Sequence, residues 1–129
     1  MIQGSCHCGA VQWRFDAMPE SATACNCTVC RRYGVLWAYD YEDEGIHVSG
    51  PTQAYVRGKA IGFHFCPACG CVAYWRSLEP DKEGRRRIAV NLRWWRRFRL
   101  TISTGLTALK TCHGMGAVSQ TIGSESALP

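Results

Sequence analysis

Seven of the nine cysteines fall into three tight groups: Cys6-His7-Cys8, Cys25-Asn26-Cys27-Thr28-Val29-Cys30 and Cys66-Pro67-Ala68-Cys69. No other feature restricts the fold as strongly, because thiols at Cys-x-Cys and Cys-x-x-Cys spacing converge on a common partner. A structural zinc site takes four ligands in a tetrahedron, whereas a catalytic zinc keeps three protein ligands and one open position. Two groups of two thiolates complete one closed site, and the group of three leaves a site with one position open. The spacing therefore predicts two Zn²⁺ ions.

Disulfides are the competing use of so many cysteines. Met1 leads into Ile-Gln-Gly-Ser-Cys, with neither a basic n-region nor an apolar h-region, so no secretory signal is expected and the address is cytoplasmic. In a reducing compartment, clustered cysteine pairs read as metal ligands. Nine cysteines also leave one thiol over in any all-disulfide scheme. No apolar stretch approaches the roughly 18 residues of a membrane span, so no membrane partner is expected. At 129 residues the chain holds one modest core, small enough for metal staples to contribute. The expected division is a zinc-binding domain over 1–112 and a weakly structured tail over 113–129, where Gly, Ser, Thr and Ala follow no period.

Between the cysteine groups the pattern has period two. Ala10 to Phe15 places Val11, Trp13 and Phe15 on one face, and Thr52 to Arg57 alternates in the same way. Further strands are expected over Val35–Asp40, Ile46–Ser49, Ile61–Phe65, Val72–Arg76, Arg86–Arg93 and Arg97–Ser103. Ile61–Phe65 leads into the Cys66 pair and Val72–Arg76 leads out of it, with Gly70 free to take positive φ at the reversal. No helical stripe longer than about two turns is visible. The expectation is an all-β domain.

Cys25, Cys27 and Cys30 form a tripod on one short loop. Joining Cys6 and Cys8 to Cys66 and Cys69 would close a long loop and lend metal-binding free energy to folding. Pairing Cys27 and Cys30 with Cys66 and Cys69, as two matched knuckles, is the alternative that spacing leaves open; it strands Cys6, Cys8 and Cys25. Cys71 and Cys112 stand outside both schemes. His7 lies between two ligands with its ring facing away, and His64 points opposite to Phe63 and Phe65, either as a structural histidine or as a donor near a site. Arg31 and Arg32 follow Cys30 directly, where they could offset thiolate charge, grip a carboxylate bidentately, or simply be solvated.

Three motifs in this order resemble the glutathione-dependent formaldehyde-activating enzyme family, whose domain the centromere protein V group shares. They are Gly4-Ser5-Cys6-His7-Cys8-Gly9-Ala10-Val11, Cys25-Asn26-Cys27-Thr28-Val29-Cys30-Arg31-Arg32 and Phe63-His64-Phe65-Cys66-Pro67-Ala68-Cys69-Gly70, followed by Ala89-Val90-Asn91-Leu92-Arg93. The resemblance implies an Mss4-like fold with a structural zinc at Cys6, Cys8, Cys66 and Cys69 and an open, catalytic one at Cys25, Cys27 and Cys30. It also implies a carbon–sulfur lyase activity in which a small thiol, glutathione as co-substrate, adds reversibly to formaldehyde or a related aldehyde. Arg31 and Arg32 are then candidate grips on the anionic thiol.

After Arg93 the chain departs from that family, reading Trp94-Trp95-Arg96-Arg97-Phe98-Arg99 where an acidic, Pro-containing segment is expected. Arg85, Arg86, Arg87, Arg93, Arg96, Arg97 and Arg99 crowd this region, although seven metal-bound thiolates and two zinc ions would lower the formal charge of +5 to about +2. A second class of function follows: a non-catalytic zinc module whose Arg/Trp-rich segment binds nucleic acid or a protein partner. Phosphate contacts and stacking on Trp94 or Trp95 would make such binding steeply salt-dependent.

Overall fold

The computed structural model describes residues 1–97 and, as backbone, the strands Leu109–Cys112 and Met115–Thr121. In chain order the strands are β1 (Ile2–Ser5), β2 (Gln12–Phe15), β3 (Ser21–Ala24), β4 (Trp37–Tyr41), β5 (Ile46–Ser49), β6 (Gln53–Arg57), β7 (Ile61–Phe65), β8 (Val72–Ser77), β9 (Arg87–Asn91), β10 (Leu109–Cys112) and β11 (Met115–Thr121). One helical turn, α1 (Cys30–Tyr33), precedes β4, and a 3-10 turn over Leu92–Trp94 follows β9. The domain is all-β, and no helix among the described residues is long and apolar enough to cross a membrane.

Alternation decides which face of a strand turns inward. In β2, Trp13 and Phe15 are buried while Gln12 and Arg14 are exposed, so the strand presents one apolar face. It sits at the centre of a three-stranded antiparallel sheet ordered β1-β2-β5. The remaining strands form a second antiparallel sheet ordered β10-β11-β3-β4-β9-β8-β7-β6. Its central strand β9 is apolar on both sides. Ile88 and Val90 enter a core shared with Trp13, Phe15 and Ile46, and Ala89 enters a second core with Trp37 and Phe63. Successive residues of a strand face opposite ways, so the two cores lie on the two faces of the larger sheet. The smaller sheet covers the first face, and the Cys25–Val35 segment covers part of the second.

The structure sharpens several expected strands. Val35–Asp40 becomes β4, starting at Trp37, and Arg86–Arg93 shortens to Arg87–Asn91 because Asn91 caps the 3-10 turn. The strand expected over Thr52–Arg57 is β6, last in the sheet order and exposed along its whole length, so its alternation marks no buried face. Between His64 and Phe65 the β7–β8 register shifts: His64 opposes Tyr74 and Phe65 opposes Val72, leaving Ala73 as the extra residue of a bulge. The strand expected over Arg97–Ser103 lies outside the described residues beyond Arg97, as does much of the tail expected over 113–129.

Candidate metal centres

The β1–β2 and β7–β8 connections are the same small device built twice. In the first, the Cys6 N–H donates to Val11 O at 2.9 Å and the Gly9 N–H to Cys6 O at 3.0 Å. In the second, the Cys66 N–H donates to Cys71 O at 3.0 Å and the Gly70 N–H to Cys66 O at 2.8 Å. Each turn closes on a glycine in the left-handed region, Gly9 at φ 82° and Gly70 at φ 75°, where a Cβ would be strained. The two turns face one another. Cys6 Sγ lies 3.5 Å from Cys8 Sγ, and Cys8 Sγ 3.6 Å from Cys66 Sγ.

With Cys69, these four sulfurs lie within 4.8 Å of one another, an arrangement that could hold a metal ion. Thiolates set tetrahedrally about 2.3 Å from zinc would be about 3.8 Å apart, so the donor set fits that ion. Backbone donors support the ionised form at two of them. The N–H groups of Cys71 and Cys8 bring the Cys69 thiol down to about 5. Burial pushes Cys6 up, but the Val11 N–H, 3.3 Å from its sulfur, together with the Cys8 and Cys66 thiols outweighs it and leaves the group lowered.

The second cluster lies on the other face of the larger sheet. Cys25 follows β3, Cys27 lies in the turn, and Cys30 opens α1, so six residues bring three buried thiols together. Their sulfurs also lie within 4.8 Å of one another. The turn is closed by the Arg31 N–H to Cys27 O at 3.2 Å and the Gly34 N–H to Cys30 O at 3.0 Å. The Cys30 N–H reaches Cys27 Sγ at 3.4 Å, and the Trp37 indole Nε1–H reaches Cys30 Sγ at 3.4 Å. Burial raises Cys27, yet the donors from Cys30, Cys25 and Val29 win and set it at about 7. At Cys30, burial wins over the Trp37 donor and pushes the thiol to about 11.

Among the described residues, these two clusters are the groups that could hold a metal, and the alternative joining Cys27 and Cys30 to Cys66 and Cys69 is not the arrangement formed. Arg31 and Arg32 are exposed on α1, and the Arg32 guanidinium donates to Thr28 O at 2.7 Å, bracing the turn between Cys27 and Cys30. His7 is exposed and belongs to neither cluster. His64 is a structural residue, stacked on Tyr74 with ring centroids 4.6 Å apart and bonded through Nδ1 to Thr52 Oγ1 at 2.9 Å. Burial and then the Arg76 charge bring its imidazole down to about 4, so it is neutral at physiological pH. Cys71 is half-buried beside Cys69, packed on the first core.

Two residues that spacing did not single out complete the geometry. Trp37 supplies the indole donor to Cys30. Asn91 donates from Nδ2 to Val72 O at 2.9 Å and accepts at Oδ1 from the Leu36 N–H at 3.4 Å, locking the strands beneath the three-thiol turn. The polar residue closing the apolar run Ile88-Ala89-Val90 was the available signal for Asn91.

The same segment carries a family match. The family described as glutathione-dependent formaldehyde-activating enzyme matches residues 1–95. A protein of Halomonas elongata, provisionally named a glutathione-dependent formaldehyde-activating enzyme, is 29% identical over 82 residues, covering 54% of this chain and 52% of the relative. The chain thus spans about half the length of that curated relative. Because the match takes in both thiol clusters and every strand from β1 to β9, this chain belongs to the glutathione-dependent formaldehyde-activating enzyme family.

Proposed function

We propose that this protein is a zinc-dependent enzyme of the carbon–sulfur lyase type, acting reversibly on adducts of glutathione with formaldehyde or a related aldehyde. The observation that carries this reading is the cluster of three buried thiols on one loop, separate from a cluster of four. A frame needs one closed site; a second site with three protein ligands has a use when a fourth, exchangeable ligand must enter. Two zinc ions are proposed accordingly, one at Cys6, Cys8, Cys66 and Cys69 and one at Cys25, Cys27 and Cys30. None of the eight cysteines with described side chains is in a disulfide, which suits a cytoplasmic, reducing setting.

A zinc held by Cys25, Cys27 and Cys30 would supply a position for a thiol sulfur and the positive charge that favours its thiolate form. The protein's own groups prepare that position. The Cys30 N–H and the Trp37 indole N–H donate to thiolate sulfurs, spreading negative charge that would otherwise weaken the hold on an added anion. Arg32 keeps the turn in shape through Thr28 O, and Arg31 extends from the same helical turn as the grip for a substrate carboxylate. In the addition, a bond forms between the thiol sulfur and the carbonyl carbon while the carbonyl oxygen takes up the proton the thiol gives up. Cleavage reverses both changes, and no electrons enter or leave.

The non-catalytic zinc module has less support. Trp94 and Trp95 are half-buried and both pack against the first core, and Trp95 also pairs through its backbone with Gly4, so part of each ring is already committed to the fold. Arg85 and Arg86 are engaged with Asp81, Glu83 and Glu42. The deciding experiment is zinc stoichiometry with and without glutathione, followed by adduct exchange on the loaded protein. Two zinc ions per chain and saturable glutathione binding that survives high salt are expected. If the loaded protein neither binds glutathione nor exchanges the adduct faster than glutathione alone, the enzyme reading is abandoned.

A further inference from the structure

On the face of the larger sheet that carries Cys25, Cys27 and Cys30, one row of cross-strand partners is almost wholly aromatic. Tyr39 of β4 opposes Ala89 of β9, Ala89 opposes Trp75 of β8, Trp75 opposes Phe63 of β7, and Phe63 opposes Tyr55 of β6. Directly opposed residues of antiparallel strands share a face, so five neighbouring strands contribute four rings to one surface. Ala89 is fully buried and small, and over it the Tyr39 and Trp75 rings meet with centroids 5.9 Å apart at 58°.

The row runs into the thiol cluster. Phe63 meets the Tyr33 ring at 5.6 Å and the Trp37 ring at 6.2 Å. Tyr33 is the last residue of α1, which Cys30 opens, and the Trp37 indole is bonded to Cys30 Sγ at 3.4 Å. Tyr39 lies two residues beyond Trp37 on the same face of β4, about 7 Å along the strand. A row serving only as core would be covered. Here Phe63 is buried, Tyr33, Tyr39 and Trp75 are half-buried, and Tyr55 is 52% exposed. Half-buried rings contiguous with a thiol centre are the make-up of a ligand pocket wall, with the Arg87 guanidinium 6.0 Å from the Tyr39 ring centroid at its edge.

We infer that the half-buried Tyr39, Trp75 and Tyr33 rings, packed around the buried Phe63, form an apolar subsite of the three-thiol centre, and that it takes an aryl group carried by the aldehyde. Formaldehyde has no group to place there. The preferred carbonyl partner is then an aryl aldehyde, whose adduct forms by the same sulfur–carbon bond and proton transfer to oxygen. Offset or edge-to-face contact with Tyr39 and Trp75 would add to the area buried, for an affinity about tenfold above that of a small aldehyde. This inference rests on the three-thiol centre being the reactive one.

Two readouts on the zinc-loaded full chain test it. Benzyl alcohol, which has the ring but no reactive carbonyl, is titrated while tryptophan fluorescence is followed; adduct exchange is compared for benzaldehyde and formaldehyde with glutathione. Saturable quenching by benzyl alcohol is expected, weakened about tenfold in Tyr39→Ser, together with a similar fall in the benzaldehyde-to-formaldehyde ratio. Tyr39→Leu serves in its place if the serine variant fails to fold, and the wild-type titration needs no variant at all. Absence of saturable benzyl alcohol binding, or an exchange ratio that ignores Tyr39, overturns the subsite even when glutathione binds. Benzyl alcohol binding without glutathione binding keeps the aryl subsite and removes the thiol–aldehyde function instead. Displacement of benzyl alcohol by a single-stranded oligonucleotide, in a salt-dependent way, would reassign the rings to base stacking and also overturn it.

Discussion

Asn91 is 6% exposed and spends its amide on three backbone groups: Val72 O, the Leu36 N–H and the Arg93 N–H at 3.2 Å. Truncation to alanine would orphan a buried carbonyl and a buried N–H. Asn91→Ala is therefore expected to cost about 2–4 kcal/mol, seen as a lower urea midpoint at unchanged slope. A loss under about 0.5 kcal/mol would mean that water replaces these bonds. Trp37→Phe is a finer cut, since it keeps most of the ring and removes the donor to Cys30 Sγ. Zinc at the three-thiol cluster should then bind about tenfold more weakly in a chelator competition, with the four-thiol cluster unmoved. At this scale the cysteines were legible because ligands must sit close in sequence to converge. Trp37 and Asn91 were not, because the groups they serve are 7 and 55 positions away.

Among elements, the two glycine-closed turns carry the greatest weight, since each must hold two sulfurs for the pair to meet. Cys66→Ser breaks one of them at a fully buried position. Metal binding at a structural site contributes on the order of 10 kcal/mol to folding, so this variant should lose a zinc and its cooperative thermal transition. Cys27→Ser should lose a zinc and keep the transition, because the facing turns are untouched. Retention of full metal content and melting temperature by Cys66→Ser would sink the structural assignment. Strands with one polar and one apolar face, such as β2, could be read directly from period two. Others could not. Ser-Ala-Thr-Ala in β3 has no hydrophobic contrast, Ile2–Ser5 is too short to show a period, and α1 is a single turn. The β6 pattern was visible but carried no information about burial, because alternation on an edge strand need not match a covered face.

For the molecule as a whole, the four-thiol cluster sits where the smaller sheet meets the larger, with Cys6 and Cys66 inside the core that both share. A strong chelator added slowly should remove the three-thiol ion first, leaving far-ultraviolet circular dichroism intact. Loss of the second ion should coincide with loss of structure. Simultaneous release of both ions would contradict the distinction between an open and a closed site. All-β architecture and the grouping of the cysteines could be foreseen from pattern; the division into two sheets could not, because it depends on which strands share a face across long separations.

The alternation of Ile88, Ala89 and Val90 puts the two thiol clusters on opposite sides of one sheet, each within its own core. Among the described residues the two cores have no member in common and are linked through paired backbone and the Asn91 amide, so changes at the two should be nearly additive. A double variant such as Cys27→Ser with Cys71→Ala, the latter packed on the first core beside the four-thiol cluster, would then deviate from the sum of its single effects by no more than about 0.5 kcal/mol. On the proposed reading, an ion at Cys25, Cys27 and Cys30 could then be lost or exchanged without disturbing one held by Cys6, Cys8, Cys66 and Cys69.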